Sequence, residues 1–193
     1  AKPSEGKSLT AANIAISYAM LGKKVLLIDA DMRKPTQRRL WRVEKPTGLC
    51  DFLAKISKLE LDKVKDLPLW IVCTGTIPPN PSELLSSERM KHFVEESAKV
   101  YDYIIIDTPP INTVADAQIV STYVDGVVLV VKSGDTTEDE LNEAIDAVRR
   151  AGGNLCGTVL NDLNMKSVKY AYKYKYGGKY GYKYSYSESY EAR

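Results

Sequence analysis

The chain has 193 residues, 44% hydrophobic and 27% charged, a composition that builds a buried core without help from disulfides or metal ions. No run reaches the ~18 apolar residues of a membrane-spanning helix, and none has the shape of a secretory signal. The net charge of +2 averages two unlike regions: residues 166–193 carry seven basic side chains against Glu188 and Glu191, whereas residues 1–165 carry 20 basic and 23 acidic ones. Cys50, Cys73 and Cys156 are odd in number and form no C-x-x-C, which excludes a disulfide framework and a cysteine zinc site. Cys73 and Cys156 stand in apolar stretches and are expected to be small buried hydrophobes. The single histidine, His92, is expected on the surface, and histidine-based triads and zinc hydrolases are excluded.

In chain order, an Ala-rich helix is predicted over Ser8–Leu21 and a strand over Lys24–Ile28, followed by strands at Leu69–Cys73 and Tyr103–Ile106. Between the last two, a helix over Pro81–Lys99 is expected to start with Asn80 as N-cap and Pro81 at its first position. Gly126–Val131 and Leu155–Leu160 complete the strands. The helix Glu138–Ala151 lies between them, with Thr137 and Glu140 at capping-box spacing and Leu141, Ala144, Ile145 and Val148 on one face. Gly152 and Gly153 can end it. The strands are short, β-branched and apolar throughout, the pattern of strands covered on both faces. Strand and helix alternating in this way predict an α/β fold, a doubly wound and mostly parallel sheet with helices on both faces.

The pattern stops near residue 165, so residues 1–165 read as one domain and 166–193 as a tail. The tail carries nine tyrosines, Tyr170, Tyr172, Tyr174, Tyr176, Tyr180, Tyr182, Tyr184, Tyr186 and Tyr190. From Tyr170 to Tyr190 there is no Leu, Ile, Val, Met or Phe, so no aliphatic core can form and disorder is expected. The alternative is a Tyr-faced hairpin turning at Gly177-Gly178.

Ala1-Lys2-Pro3-Ser4-Glu5-Gly6-Lys7-Ser8 has the spacing of a phosphate-binding loop, with Ala in place of the first Gly. Gly6 lets backbone N–H groups approach phosphate oxygens, Lys7 reaches the β- and γ-phosphates, and the Ser8 hydroxyl binds Mg²⁺ at a helix start whose dipole favours anions. Pro3, Ser4, Glu5 and Leu9 complete the expected cofactor-binding segment. Two strands end in acid: Ile28-Asp29-Ala30-Asp31 and Ile106-Asp107-Thr108. Asp29, Asp31 and Asp107 around Gly6-Lys7-Ser8 make an expected Mg²⁺-nucleotide site.

These motifs, with Met32-Arg33 after Asp31 and Pro109-Pro110 after Asp107, resemble the cytoplasmic catalytic domain of bacterial tyrosine kinases of the capsular and exopolysaccharide type, a P-loop class. Thr47-Gly48-Leu49, Gly75-Thr76 through Glu83-Leu84-Leu85, and Val124-Asp125-Gly126 through Lys132 look like the family as well. The tyrosine tail sets the resemblance apart from other P-loop ATPases. It implies ATP and Mg²⁺ as cofactors, with the ion held by Ser8, Asp31 and Asp107. It makes Asp29 the acceptor of the tyrosine proton, lets Arg33 steer the acceptor or a phosphate, and lets Asn161 read the adenine edge. The tail tyrosines are the implied phosphoacceptors, used by a neighbouring copy in a homo-oligomeric ring. A transmembrane activator, the polysaccharide co-polymerase, is the implied partner at the inner face of the plasma membrane, and nucleic acid is not expected. A strand ahead of the loop and an oligomerisation helix are expected upstream of Ala1. Lys2 stands where partition and septum-site ATPases carry their signature lysine. Such an ATPase switch is one alternative, with Lys2 otherwise an exposed loop residue; a non-catalytic regulator of polysaccharide export is the other.

Overall fold

The computed structural model describes residues 1–163, and the tail expectations lie outside the described residues. One compact unit covers Ala1–Asp162. Its elements are α1 (Lys7–Met20), β1 (Val25–Asp29), α2 (Gln37–Trp41), α3 (Leu49–Leu53), β2 (Asp62–Lys63), β3 (Leu69–Val72), α4 (Pro81–Ser86), α5 (Glu88–Ala98), β4 (Tyr103–Asp107), α6 (Asp116–Ser121), β5 (Val127–Lys132), α7 (Glu138–Arg150) and β6 (Leu155–Asn161). The five expected strands form within a residue of their predicted ends. Sequence reading missed α2, α3, α6 and β2, which are too short to show a hydrophobic period.

β1 pairs in parallel with β3 on one side and β4 on the other, and the two-residue β2 adds antiparallel to β3. All five β1 residues are buried, and they divide between two faces. Leu26 and Ile28 pack with Val72, Leu85 and Met90, whereas Val25 and Leu27 pack with Leu69, Ile71 and the α1 alanines Ala12, Ala15 and Ala19. Period-2 alternation in a strand with helices above and below explains the unbroken apolar run. Each such aliphatic side chain contributes roughly 1.5–3 kcal/mol of burial. The small alanines let α1 lie close against the strands.

β5 and β6 form a separate parallel pair. The expectation of one sheet is therefore met in two pieces: β4 and β5 share no hydrogen bonds, and their facing edges line a groove of about 740 Å³ with Ile14 and Leu21. Cys156, expected inside, is exposed, because β6 alternates in burial along its length. Cys50 and Cys73 are buried, and His92 is exposed as expected.

The expected helix over 81–99 is two helices. Ser87 takes extended backbone (ψ 146°) and its hydroxyl accepts from the Met90 N–H at 3.2 Å, so it caps α5 and ends α4. Asn80 does not cap through its side chain; its amide donates to Glu83 instead. Thr137 and Glu140 do form the capping box of α7. Among the described residues no helix is long and apolar enough to cross a membrane.

Candidate nucleotide and phosphoryl-transfer site

The phosphate loop turns left-handed at Ser4 (φ 64°) and at Gly6 (φ 86°), which is the N-cap of α1. Backbone of this kind aims successive N–H groups at an anion. At this positive φ a side chain would be strained, and a Cβ on Gly6 would also stand 2.2 Å from the Asn161 side-chain nitrogen and push it aside. That nitrogen donates to the Glu5 carbonyl at 2.9 Å and ties the end of β6 to the loop. The Glu5 carboxylate points inward, 1% exposed, and accepts from the Lys2 N–H and the Thr136 hydroxyl, each at 2.7 Å. Glu5 thus braces the loop. Leu9 is 54% exposed, so only its backbone could serve a phosphate.

Lys7 Nζ donates to the Lys2 carbonyl and lies 3.6 Å from Glu5. Burial lowers its pKa from the usual lysine value, and the charges of Glu5 and Asp107 oppose the shift. Lys2 is not a free loop lysine: its ammonium donates to the Asp135 carbonyl at 2.9 Å and to Glu140 at 3.1 and 3.2 Å. It is committed within its own chain.

Asp29 and Asp107 are register neighbours at the carboxyl ends of β1 and β4. Asp29 is wholly buried; one of its oxygens accepts from the Asp31 N–H (3.3 Å), the other from the Thr36 (3.2 Å) and Gln37 (2.9 Å) N–H groups. Burial, then the neighbouring Asp107, pushes its pKa up to about 7. Three backbone N–H groups thus hold the Asp29 carboxylate in the wall of the site. Asp31 is the half-buried carboxylate; its Oδ1 accepts from the Arg33 and Lys34 N–H groups at 3.2 and 2.9 Å. Burial also raises the Asp107 pKa, against hydrogen bonds from Gln37 and Ser8.

Two site residues escaped the sequence reading. The buried Gln37 amide donates to Asp107 at 2.8 Å and to the Ser8 carbonyl at 2.9 Å, while its oxygen accepts from the Trp41 indole at 3.0 Å. The Thr36 hydroxyl donates to the Ser8 hydroxyl at 2.8 Å. Their one trace in the sequence is Pro35-Thr36-Gln37, a helix-start pattern shortly after Asp31. Arg33 turns away from the loop toward Asp116 and Ser82.

Ser8, Asp31 and Asp107 offer only oxygen donors, and among the described residues no three His, Cys, Asp or Glu side chains close into a cage. That suits Mg²⁺, which keeps several waters and binds through one or two carboxylates plus phosphate.

A family model described as an AAA domain matches residues 1–154. The chain is 44% identical over 173 residues to tyrosine-protein kinase YwqD of Bacillus subtilis, covering 88% of this chain and 73% of that protein. The kinase domain of the Escherichia coli tyrosine kinase ETK superposes with a TM-score of 0.83 at 31% identity, covering 96% of this chain and 69% of that one. The septum site-determining protein MinD of Pyrococcus horikoshii, complexed with Mg-ADP, matches at a TM-score of 0.69 over 82% of this chain and 66% of that one; at 21% identity this match speaks for the fold alone. The nucleotide-binding loop, the acid-tipped strands and these relatives place the chain in one family: it belongs to the bacterial tyrosine-protein kinases built on an AAA-type nucleotide-binding domain.

Proposed function

We propose that this site moves the γ-phosphoryl group of ATP to tyrosine hydroxyls, with the residue roles that follow. The observation that carries the reading is the pairing of Asp29 with Asp107 at adjoining strand ends, beside Lys7 and Ser8 at the start of α1. Gly6 and the first α1 N–H groups receive phosphate oxygens, and Lys7 neutralises the transferring group. The Ser8 hydroxyl, Asp31 and Asp107 hold Mg²⁺, which when bound supplies positive charge against the phosphates. Gln37 keeps Asp107 oriented. Asp29 holds the turn that carries Asp31 and Arg33, and a pKa of about 7 lets it store a proton at neutral pH. Phosphoryl transfer is largely dissociative, so positioning and charge outweigh proton abstraction. Arg33 faces the acceptor, and Asn161 fixes the loop beside the adenine.

Residues 1–165 form the kinase domain in this reading, and Tyr170 through Tyr190 are acceptors presented to a neighbouring copy in a ring. A Lys- and Tyr-rich segment without aliphatic side chains can enter another active site without unfolding a core. The resemblance extends the reading to control of capsular or exopolysaccharide synthesis, at the inner face of the plasma membrane through a transmembrane activator. Incubation with labelled ATP and Mg²⁺, followed by phosphoamino-acid analysis, tests the chemistry. Phosphotyrosine is expected; free phosphate without phosphotyrosine would overturn it in favour of an ATPase switch.

A further inference from the structure

We propose that Asp116 and Ser82 are positioning residues for Arg33, fixing its guanidinium beside Asp31 as the cation that receives the acceptor tyrosine. The inference rests on the phosphoryl-transfer reading above and assigns two residues that reading does not use.

An arginine on a loop beyond a strand ordinarily samples many rotamers and loses that freedom on ordering. Arg33 does not have that freedom. Its Nε donates to one oxygen of Asp116 at 2.8 Å and its Nη2 to the other at 3.1 Å, a two-pronged pairing. Nη2 also lies 3.3 Å from the Ser82 hydroxyl, which itself donates to Asp116 at 2.6 Å. The clamp joins three separate pieces of chain: the turn after β1, the start of α4 and the start of α6.

Its exposure is lopsided. The Asp116 side chain is 0% exposed, whereas that of Arg33 is 40% exposed. A carboxylate so deeply placed needs charged and hydrogen-bonding partners, and Arg33 with Ser82 supply them. The guanidinium consequently keeps one inner edge on Asp116 and leaves Nη1 without a hydrogen-bond partner among the described residues. The Arg33 N–H meanwhile donates to Asp31 at 3.2 Å, so the same residue that carries the cation is pinned to the half-buried acid of the site. A planar fork held from behind, with a free outer edge, is suited to phosphate oxygens on a tyrosine and to the phenol that precedes them. The segment from Gly75 to Leu85, which looked family-like in the sequence, gains a role here: it delivers Ser82.

The same clamp could merely fasten α4 to α6, and the kinetics separate the two roles. The test uses the 193-residue chain with its nine tail tyrosines changed to Phe and a peptide of residues 170–184 as the added acceptor. Asp116→Asn is expected to raise the peptide KM about tenfold, near the range of a charge-assisted pair, while the ATP KM moves by no more than about twofold. Arg33→Lys, which keeps the charge without the fork, should raise the peptide KM similarly, and the double variant should add little to either single one. Ser82→Ala, the mildest change, should give roughly a threefold rise and covers the case in which Asp116→Asn does not fold. Parallel losses for ATP and peptide, a fall in kcat at unchanged peptide KM, or fully additive single effects would overturn the positioning role. If the chain with intact Arg33 and Asp116 binds nucleotide but never phosphorylates the peptide, the phosphoryl-transfer reading itself falls, and this inference with it.

Discussion

The two sheets divide the labour of the site. β1, inside the four-stranded sheet, and β4, at its edge, supply the acids: every β1 residue is buried, and Asp29 and Asp107 stand side by side at the strand ends. β5, β6 and α7 supply no acid of the reaction centre, yet they hold the phosphate loop. Thr136 binds Glu5, Glu140 binds Lys2, and Asn161 binds the Glu5 carbonyl. In the proposed function the first region therefore sets charge and chemistry, and the second sets the shape of the loop that would receive the phosphates. Damage on the first side is expected to appear in the rate of transfer, and damage on the second in the affinity for nucleotide.

The sharpest break falls on the first side. Lys7→Met and Asp107→Asn should each lower phosphotyrosine formation by at least about a hundredfold, since each removes charge control at the transferring group. Circular dichroism should show the fold retained, and near-normal phosphorylation by either variant would contradict the division.

Next comes pH. The Asp29 pKa is raised to about 7, so the folded chain binds a proton that the unfolded chain has released. Stability in the absence of divalent ions should therefore fall as pH rises from about 4 to about 7, by at most about 4 kcal/mol. The raised Asp107 acts in the same sense, whereas Asp51, held below the usual range by hydrogen bonds from Thr76 and Gly48 against its burial, acts only at lower pH. Asp29→Asn should flatten the slope in urea titrations run across this window; an unchanged slope would place the burden elsewhere.

Gln37→Met keeps the volume but removes one donor from Asp107 and one from the Ser8 carbonyl. A loss of about 1–3 kcal/mol is expected, together with a higher Mg²⁺ requirement read by isothermal titration. On the second side, Asn161→Ala should raise the ATP KM by about threefold to fivefold with kcat nearly unchanged, as befits one neutral hydrogen bond to the loop. Smallest is Thr137→Ala, which removes the α7 cap and should lower the unfolding free energy by about 1 kcal/mol. A larger effect of Asn161→Ala on kcat than on the ATP KM would blur the distinction between the sheets.

What the sequence by itself determined is local. Val25–Ile28 and Leu69–Val72 declare buried parallel strands, because side chains of both parities are apolar and each face of the sheet is covered, whereas the equally apolar Ile104–Ile106 is only half-buried at the sheet edge. Gly6-Lys7-Ser8 declares the left-handed turn and the helix start, because both are set by adjacent residues. The Thr137–Glu140 box declares the start of α7 for the same reason. Tertiary structure decided everything that depends on a distant neighbour. Gln37 reaches Asp107, and Asp116 reaches Arg33, across long separations in the chain. Nothing near Gln37 or Asp116 marks either as more than an ordinary polar residue. Asp29 and Asp31 look alike in sequence; only the N–H groups of Thr36 and Gln37, brought round by the turn, bury one and leave the other reachable. Cys156 stands in as apolar a stretch as Cys73 yet is exposed, since burial belongs to whatever packs against a strand and not to the strand itself.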